Sequence, residues 1–154
     1  MKKKTRSERN YGNGSTPTWK PSEILLFIYG TLLPGERGHH LLLKLQAQPK
    51  GPASLDQHCL YLFLPGDCPM AFPGAGKVKG EIWAIPPEAL LVLDIYEGIH
   101  EGIYERLRLQ VETPQGQTEA WVYRATPQAM EDLKDKLKRV SGNDWRTWRR
   151  ETTF

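Results

Sequence analysis

The chain has 154 residues, 39% of them hydrophobic and 25% charged, which fits one packed domain and excludes wholesale disorder. Its net charge of +3 is unevenly spread: residues 1–20 hold six basic side chains against Glu8 and carry +5, leaving about −2 for the rest. A near-neutral body argues against a nucleic-acid-binding fold, which places basic residues on a structured face, and no apolar stretch approaches the ~20 residues of a membrane span.

Residues 1–20 are polar, include Asn-Gly-Asn-Gly-Ser, and read as a disordered basic leader. The first strand runs from about Glu23 to Tyr29, and its unbroken apolar run Ile24 to Ile28 predicts burial on both faces. Polarity then changes abruptly at Tyr29-Gly30-Thr31-Leu32-Leu33-Pro34-Gly35. A buried strand ending in such a turn leaves backbone N–H groups without ladder partners, and these need an acceptor: local side chains, water or a ligand carboxylate. A short helix is expected over His40 to Leu45, closed by the Pro49-Lys50-Gly51-Pro52 break.

Ala53 to Leu64 reads as a strand. The segment Pro65 to Gly74 is rich in Pro and Gly and is expected to be irregular, either a pocket wall or a surface Ω-loop packed on itself. Val78 to Ile85 is another strand, in which alternation leaves Glu81 facing either solvent or the interior. Pro86-Pro87 opens a helix that Gly98 should stop. Strands over about Tyr104 to Val111 and Thr118 to Arg124 flank Thr113-Pro114-Gln115-Gly116-Gln117, a hairpin signal. Thr126 and Pro127 start a helix with Met130, Leu133, Leu137 and Val140 on one face, ended by Gly142. Beyond it, Trp145 and Trp148 are expected to pack back onto the domain. About five strands with irregularly inserted helices favour an α+β class over a doubly wound sheet.

Two cysteines, Cys59 and Cys68, are too few for a disulfide framework. His39-His40 lacks metal-ligand spacing, and no converging ligand cluster is visible, so a metal is not expected. The chain contains no Gly-x-Ser-x-Gly, Walker loop or His-Glu-x-x-His. The basic N-terminus has no apolar segment behind it, as a secretory signal would, and a cytoplasmic protein is the default.

The second notable stretch is Leu93-Asp94-Ile95-Tyr96-Glu97-Gly98, followed by Tyr104-Glu105-Arg106. Asp94 and Glu97 share a helical face. Glu97 sits at the helix C-terminus, where the macrodipole disfavours a carboxylate and should raise its pKa. That position reads either as a functional acid or as a carboxylate simply exposed at a helix end.

Taken together, the pieces resemble the gamma-glutamylcyclotransferase-like family, which includes AIG2-like and gamma-glutamylamine cyclotransferase proteins. Tyr29-Gly30-Thr31-Leu32 matches the family's Tyr-Gly-(Thr/Ser)-Leu signature, and Gly35 to Leu42 its Gly-x-x-x-His-x-x-Leu region. Cys68-Pro69-Met70-Ala71 is similar to its Tyr-Pro-Ala loop, Val78 to Trp83 to its Val-x-Gly-Glu strand, and Ala120 to Tyr123 to its closing strand. Leu93-Asp94-x-x-Glu97-Gly98 with Tyr104-x-Arg106 is similar to its acidic segment. The likeness covers about residues 24–125; Cys68 departs from the usual aromatic, and the basic leader and Trp/Arg end lie outside it.

The resemblance implies a small mixed β-barrel with flanking helices and a domain over 21–125. The segment 126–154 then adds a C-terminal helix and a Trp/Arg-rich tail packed on that domain. It also implies a pocket at Tyr29, Gly30, Thr31 and Leu32, with Tyr29 and Tyr104 as walls and Glu97 as acid/base. Backbone N–H groups of Gly30 to Leu32 would hold the α-carboxylate of a gamma-glutamyl amine or peptide, which is converted to 5-oxoproline and free amine without cofactor or metal. For both tyrosines, a buried ring with a bonded hydroxyl is the alternative. Two other functions fit the same residues. One is a non-catalytic module binding a carboxylated small molecule in this pocket; the other is a nucleic-acid or membrane adaptor acting through the basic ends.

Overall fold

The computed structural model describes residues 23–152; the predicted leader over 1–20 lies outside them. Six strands form one mixed sheet: β1 (Ile24–Ile28), β2 (Gln48–Phe63), β3 (Cys68–Ile85), β4 (Tyr104–Thr113), β5 (Gly116–Ala125) and β6 (Leu137–Arg139). Their order is β3-β1-β5-β4-β2-β6, and β2 also pairs with β3. Five strands therefore close into a barrel-like ring, with β6 added outside on β2. Pairing is parallel between β1 and β5 and antiparallel in the other pairs. The helices α1 (His39–Lys44), α2 (Ala89–Glu97), α3 (Pro127–Leu133) and α4 (Trp145–Thr152) flank the ring. This is the expected α+β class.

β1 lies between β3 and β5, and Leu26, Phe27 and Ile28 are almost fully buried, as their unbroken apolar run requires. The main core fills the ring, and a smaller cluster built on Met70, Phe72, Ala125 and Ala129 lies under α3. Thr126 caps α3 by accepting from Ala129 N–H at 3.1 Å, with Pro127 in the first turn. α2 ends at Gly98, whose φ of 67° is the left-handed conformation that a glycine adopts without strain. Among the described residues no helix is long and apolar enough to cross a membrane.

Three local expectations are corrected. Pro49 to Pro52 does not end regular structure but lies inside β2, with a bulge between Pro49 and Gly51. The segment from Pro65 to Gly74 is irregular only at its start; Cys68 to Pro73 pairs with His58 to Phe63. Both proline-bearing stretches behave as edges. The first pairs with β3 alone, since β2 meets β4 only further on, at Ser54 with Glu112, and the second lies beyond the part of β3 that β1 covers. Proline's missing N–H costs little there. The third concerns the helix expected to reach Val140, which stops at Leu133. A 3₁₀ turn follows, and Leu137–Arg139 becomes β6 by pairing with Tyr61 to Phe63. The open edge of β2 offers backbone partners there, and Leu137 and Val140 still reach the core from an extended chain.

Candidate active site

The turn after β1 and the end of α2 meet at one pocket of about 330 Å³. All six residues singled out from the sequence line it: Tyr29, Gly30, Thr31, Leu32, Glu97 and Tyr104. The topology explains the meeting of segments so distant in sequence. β1 is flanked by β3 and β5, so the turn leaving it faces both the start of β3, with Cys68 and Pro69, and the residues around Tyr104 and Tyr123.

Two of these residues spend their hydroxyls on the backbone. Tyr29 donates to the Tyr123 carbonyl at 2.5 Å and accepts from Ala71 N–H at 3.4 Å. Tyr104 donates to the Pro69 carbonyl at 3.2 Å. Both are therefore pocket walls and buried, bonded tyrosines at once. Thr31 Oγ1 lies 3.0 Å from the Tyr96 hydroxyl. Leu32 is buried, and its carbonyl accepts from His39 Nδ1–H at 2.8 Å. A Cβ on Gly30 would sit 2.6 Å from Pro69 Cγ, so the turn packs against the start of β3 only because residue 30 has none.

The turn is held by hydrogen bonds from Leu33 N–H to the Gly30 carbonyl (3.0 Å), Glu36 N–H to the Leu33 carbonyl (3.0 Å) and Gly38 N–H to the Thr31 carbonyl (2.8 Å). The N–H groups of Gly30, Thr31 and Leu32 donate to no acceptor among the described residues. Backbone donors left over beside a cavity form a cradle suited to an anion.

Glu97 is the one acidic residue among those lining the pocket, and Arg37 the one basic residue. Burial pushes the Glu97 carboxyl up to about 7. The sequence pointed to the right direction for the wrong reason: desolvation raises this pKa, where the helix dipole was expected to. Around it, burial and the Glu97 charge hold Tyr29 and Tyr104 well above the usual tyrosine range. Burial also raises the Cys68 thiol, with Arg37 opposing and Glu97 adding to the shift. Tyr29, Tyr104 and Cys68 therefore stay protonated at neutral pH, and Glu97 is the pocket carboxyl that titrates there.

Asp94, one turn earlier on α2, is in the opposite situation. It accepts from Arg106 Nε (2.8 Å), Arg106 Nη2 (3.1 Å) and the Tyr123 hydroxyl (2.7 Å). The Arg106 guanidinium lies 4.5 Å from the centre of the Trp121 ring. Burial pushes Asp94 up, but hydrogen bonds from Arg106 and Tyr123 and the Arg106 charge outweigh it, and its pKa falls.

Sequence reasoning did not single out Arg37, Tyr96 or Tyr123 as pocket residues. Arg37 Nη2 donates to the Gly66 carbonyl at 3.1 Å and lies 3.4 Å from Cys68 Sγ, bridging the pocket turn to the β2–β3 hairpin. Tyr96 and Tyr123 stand inside matched motifs, next to residues already chosen, and that adjacency was the available signal. Arg37 had none. Glu81 is structural: it accepts from Trp83 Nε1 at 2.9 Å and Arg146 Nη1 at 2.8 Å. Among the described residues no three His, Cys, Asp or Glu side chains converge as metal ligands would.

Comparison with known proteins shows the family. Residues 26–147 match the family model described as "Gamma-glutamyl cyclotransferase, AIG2-like". The Escherichia coli (strain K12) protein "Gamma-glutamylcyclotransferase family protein YtfP" is 33% identical over 120 residues, covering 78% of this chain and 94% of that protein. The solution structure of ytfP from Escherichia coli aligns with a TM-score of 0.58 at 32% identity, over 79% of this chain and 96% of that one. A crystal structure of an AIG2-like protein from Mus musculus aligns with a TM-score of 0.62 at 26% identity, over 70% of this chain and 82% of that one. The chain thus belongs to the AIG2-like gamma-glutamyl cyclotransferase family.

Proposed function

We propose that the protein converts a gamma-glutamyl amine or peptide into 5-oxoproline and a free amine, with Glu97 as general acid/base. The observation that carries this reading is a carboxyl with a pKa near 7 and no ion-pair or hydrogen-bond partner among the described residues, facing the same pocket as three unused backbone donors.

In a gamma-glutamyl amide, the α-amine and the γ-carbonyl belong to one molecule, and ring closure gives a five-membered lactam. The protein's main task is to hold the conformer in which the two approach. The N–H groups of Gly30, Thr31 and Leu32 receive the substrate α-carboxylate and fix the glutamyl end. Glu97, as carboxylate, takes a proton from the α-amine while its nitrogen bonds to the γ-carbon. The protonated Glu97 then returns that proton to the departing nitrogen as the old amide bond breaks. No net proton is gained, and one group serves both steps because its pKa lies near neutrality, where donor and acceptor forms coexist. Tyr29 and Tyr104, kept protonated with hydroxyls engaged, exclude water and shape the wall without competing for the proton.

The test is direct. Purified protein incubated with gamma-glutamyl-lysine should release 5-oxoproline, and Glu97→Gln should abolish release while the circular dichroism spectrum is unchanged. Turnover retained by that variant would remove Glu97 from the mechanism. Calorimetric binding of gamma-glutamyl compounds without product would instead identify a binding module.

A further inference from the structure

α4 is tied to the pocket turn by two routes, neither of which takes part in the chemistry above. The helix itself is well seated. Asp144 caps it, accepting from Thr147 Oγ1 at 3.2 Å and from Thr147 N–H at 3.5 Å. Trp145 is 2% exposed and stacks on Trp148 with ring centres 5.6 Å apart. From this base, Trp145 Nε1–H (3.0 Å) and Arg149 Nη1–H (2.7 Å) both donate to Glu36 Oε1. Glu36 lies in the middle of the turn that carries Gly30 to Leu32, and its side chain is only 9% exposed.

The second route starts at Arg146, whose Nη1 donates to Glu81 Oε2 at 2.8 Å. Glu81 Oε1 accepts from Trp83 Nε1 at 2.9 Å, and the Trp83 ring meets the edge of His39 at 5.1 Å between centres. His39 in turn donates to the Leu32 carbonyl. Both routes begin on one helix and end on the same short turn.

A turn outside the sheet has no ladder to hold it, and its N–H groups at positions 30–32 are the ones meant to face the substrate. A carboxylate with so little exposure is costly unless donors meet it, and Glu36 has two that converge on one oxygen, the neutral indole N–H of Trp145 and the charged guanidinium of Arg149. α4 does not need Glu36 to stay in place, because Trp145 already sits in the core. We infer that Glu36 is a positioning residue: through Trp145 and Arg149 it fixes the turn 30–38 against α4, and so aims the Gly30, Thr31 and Leu32 donors. This rests on the proposed use of those donors for the substrate carboxylate.

The experiment uses the full chain as wild type, Glu36→Ala, Glu36→Gln, Trp145→Phe and the Glu36→Ala/Trp145→Phe double variant. Two measurements are made: amide hydrogen exchange by NMR, and steady-state turnover of gamma-glutamyl-lysine. Glu36→Ala should speed exchange of the Leu33 and Gly38 amides about tenfold while paired amides of the β4–β5 hairpin keep their rates. Its KM should rise about fivefold, with kcat changing less. Glu36→Gln keeps an acceptor oxygen and should recover part of both effects. Trp145→Phe keeps an aromatic ring in the core but lacks the N–H, so it should act in the same direction on Leu33 and Gly38 and add little there once Glu36 is Ala.

Unchanged exchange at Leu33 and Gly38 in Glu36→Ala, equal acceleration across the β4–β5 hairpin, or effects of the two substitutions that simply multiply would each overturn the inference. If Glu36→Ala does not fold, Trp145→Phe alone carries the same exchange test. A wild-type protein without turnover would refute the proposed function, and the exchange rates would still decide whether Glu36 holds the turn.

Discussion

Asp94 and Glu97 stand three residues apart on the same short helix, yet the protein treats them in opposite ways. Asp94 is given three donors from Arg106 and Tyr123 and is held as a carboxylate. Glu97 is given none, and burial alone lifts its pKa to about 7. Asp94 ties α2 to β4 and β5, so the helix end that carries Glu97 has a fixed position. The stability the fold gains at Asp94 lets it tolerate a carboxyl at Glu97 that is costly to ionise, and a costly carboxyl is the kind that exchanges protons near neutrality.

The sharpest way to break this contrast is Glu97→Gln. If Glu97 is the acid/base, turnover of a gamma-glutamyl amide should fall by ~10²–10⁴-fold, the usual worth of a positioned proton carrier. Stability should move the other way. The folded-state pKa lies above the unfolded one, so the folded chain still holds a proton that the unfolded chain has released between pH 4.5 and about 7. Stability from this residue is complete below that window, declines across it and stays reduced above it. Glu97→Gln should therefore be more stable than wild type at pH 8, by up to roughly 3 kcal/mol, and nearly equal to it at pH 4.5. Urea melts of both proteins at the two pH values measure this. A variant no more stable at pH 8 would mean that Glu97 pays no desolvation cost and lacks a raised pKa.

How far the sequence reached depended on whether the cause was local. β1, the stop of α2 at Gly98 and the 113–117 hairpin turn rest on short-range chemistry, and the structure has all three. The Pro-rich strand segments and β6 rest on which sheet edges are open, which no local pattern records. Met130, Leu133, Leu137 and Val140 show the limit well. Their helical spacing is real, yet the last two reach the core from an extended chain because β2 had an unpaired edge beside them. Glu97 was found by its place before a glycine, whereas its pKa is raised by burial at a pocket it shares with Tyr29 and Tyr104, residues distant in sequence. Arg37 was invisible for the same reason, since its partners lie on the β2–β3 hairpin.

A smaller effect is expected at the other half of the pair. Asp94→Asn leaves Arg106 without its carboxylate and removes charge-assisted bonds. Because Arg106 and Asp94 keep 26% and 22% side-chain exposure, the cost should be about 1–2 kcal/mol and not the full price of a buried ion. Its pH signature should mirror that of Glu97. The folded-state pKa of Asp94 is lowered, so its contribution is present above the ordinary carboxylate range and is lost as pH falls through the folded value. Asp94→Asn should thus narrow its gap to wild type in strong acid, where Glu97→Gln has no advantage left. Chemical denaturation across that range measures it, and a constant gap would show that Asp94 stabilises by packing and not by charge.

The smallest change is Tyr123→Phe, which deletes one neutral donor to Asp94 and leaves both Arg106 bonds intact. The Tyr123 backbone carbonyl still accepts from Tyr29, so the pocket wall should keep its geometry. The expected loss is about 0.5–1 kcal/mol, the net worth of one hydrogen bond whose surviving partner has others. Activity should respond weakly, because the group removed is an anchor of an anchor, and turnover, which should follow ionisation of Glu97, should keep its pH limb near 7. If Tyr123→Phe instead costs as much stability as Asp94→Asn, the Arg106 pair contributes nothing. The fixed position of α2 would then rest on the tyrosine. If it moves the Glu97 limb, the two carboxyls are coupled through Tyr123, and their opposite treatment is one device instead of two.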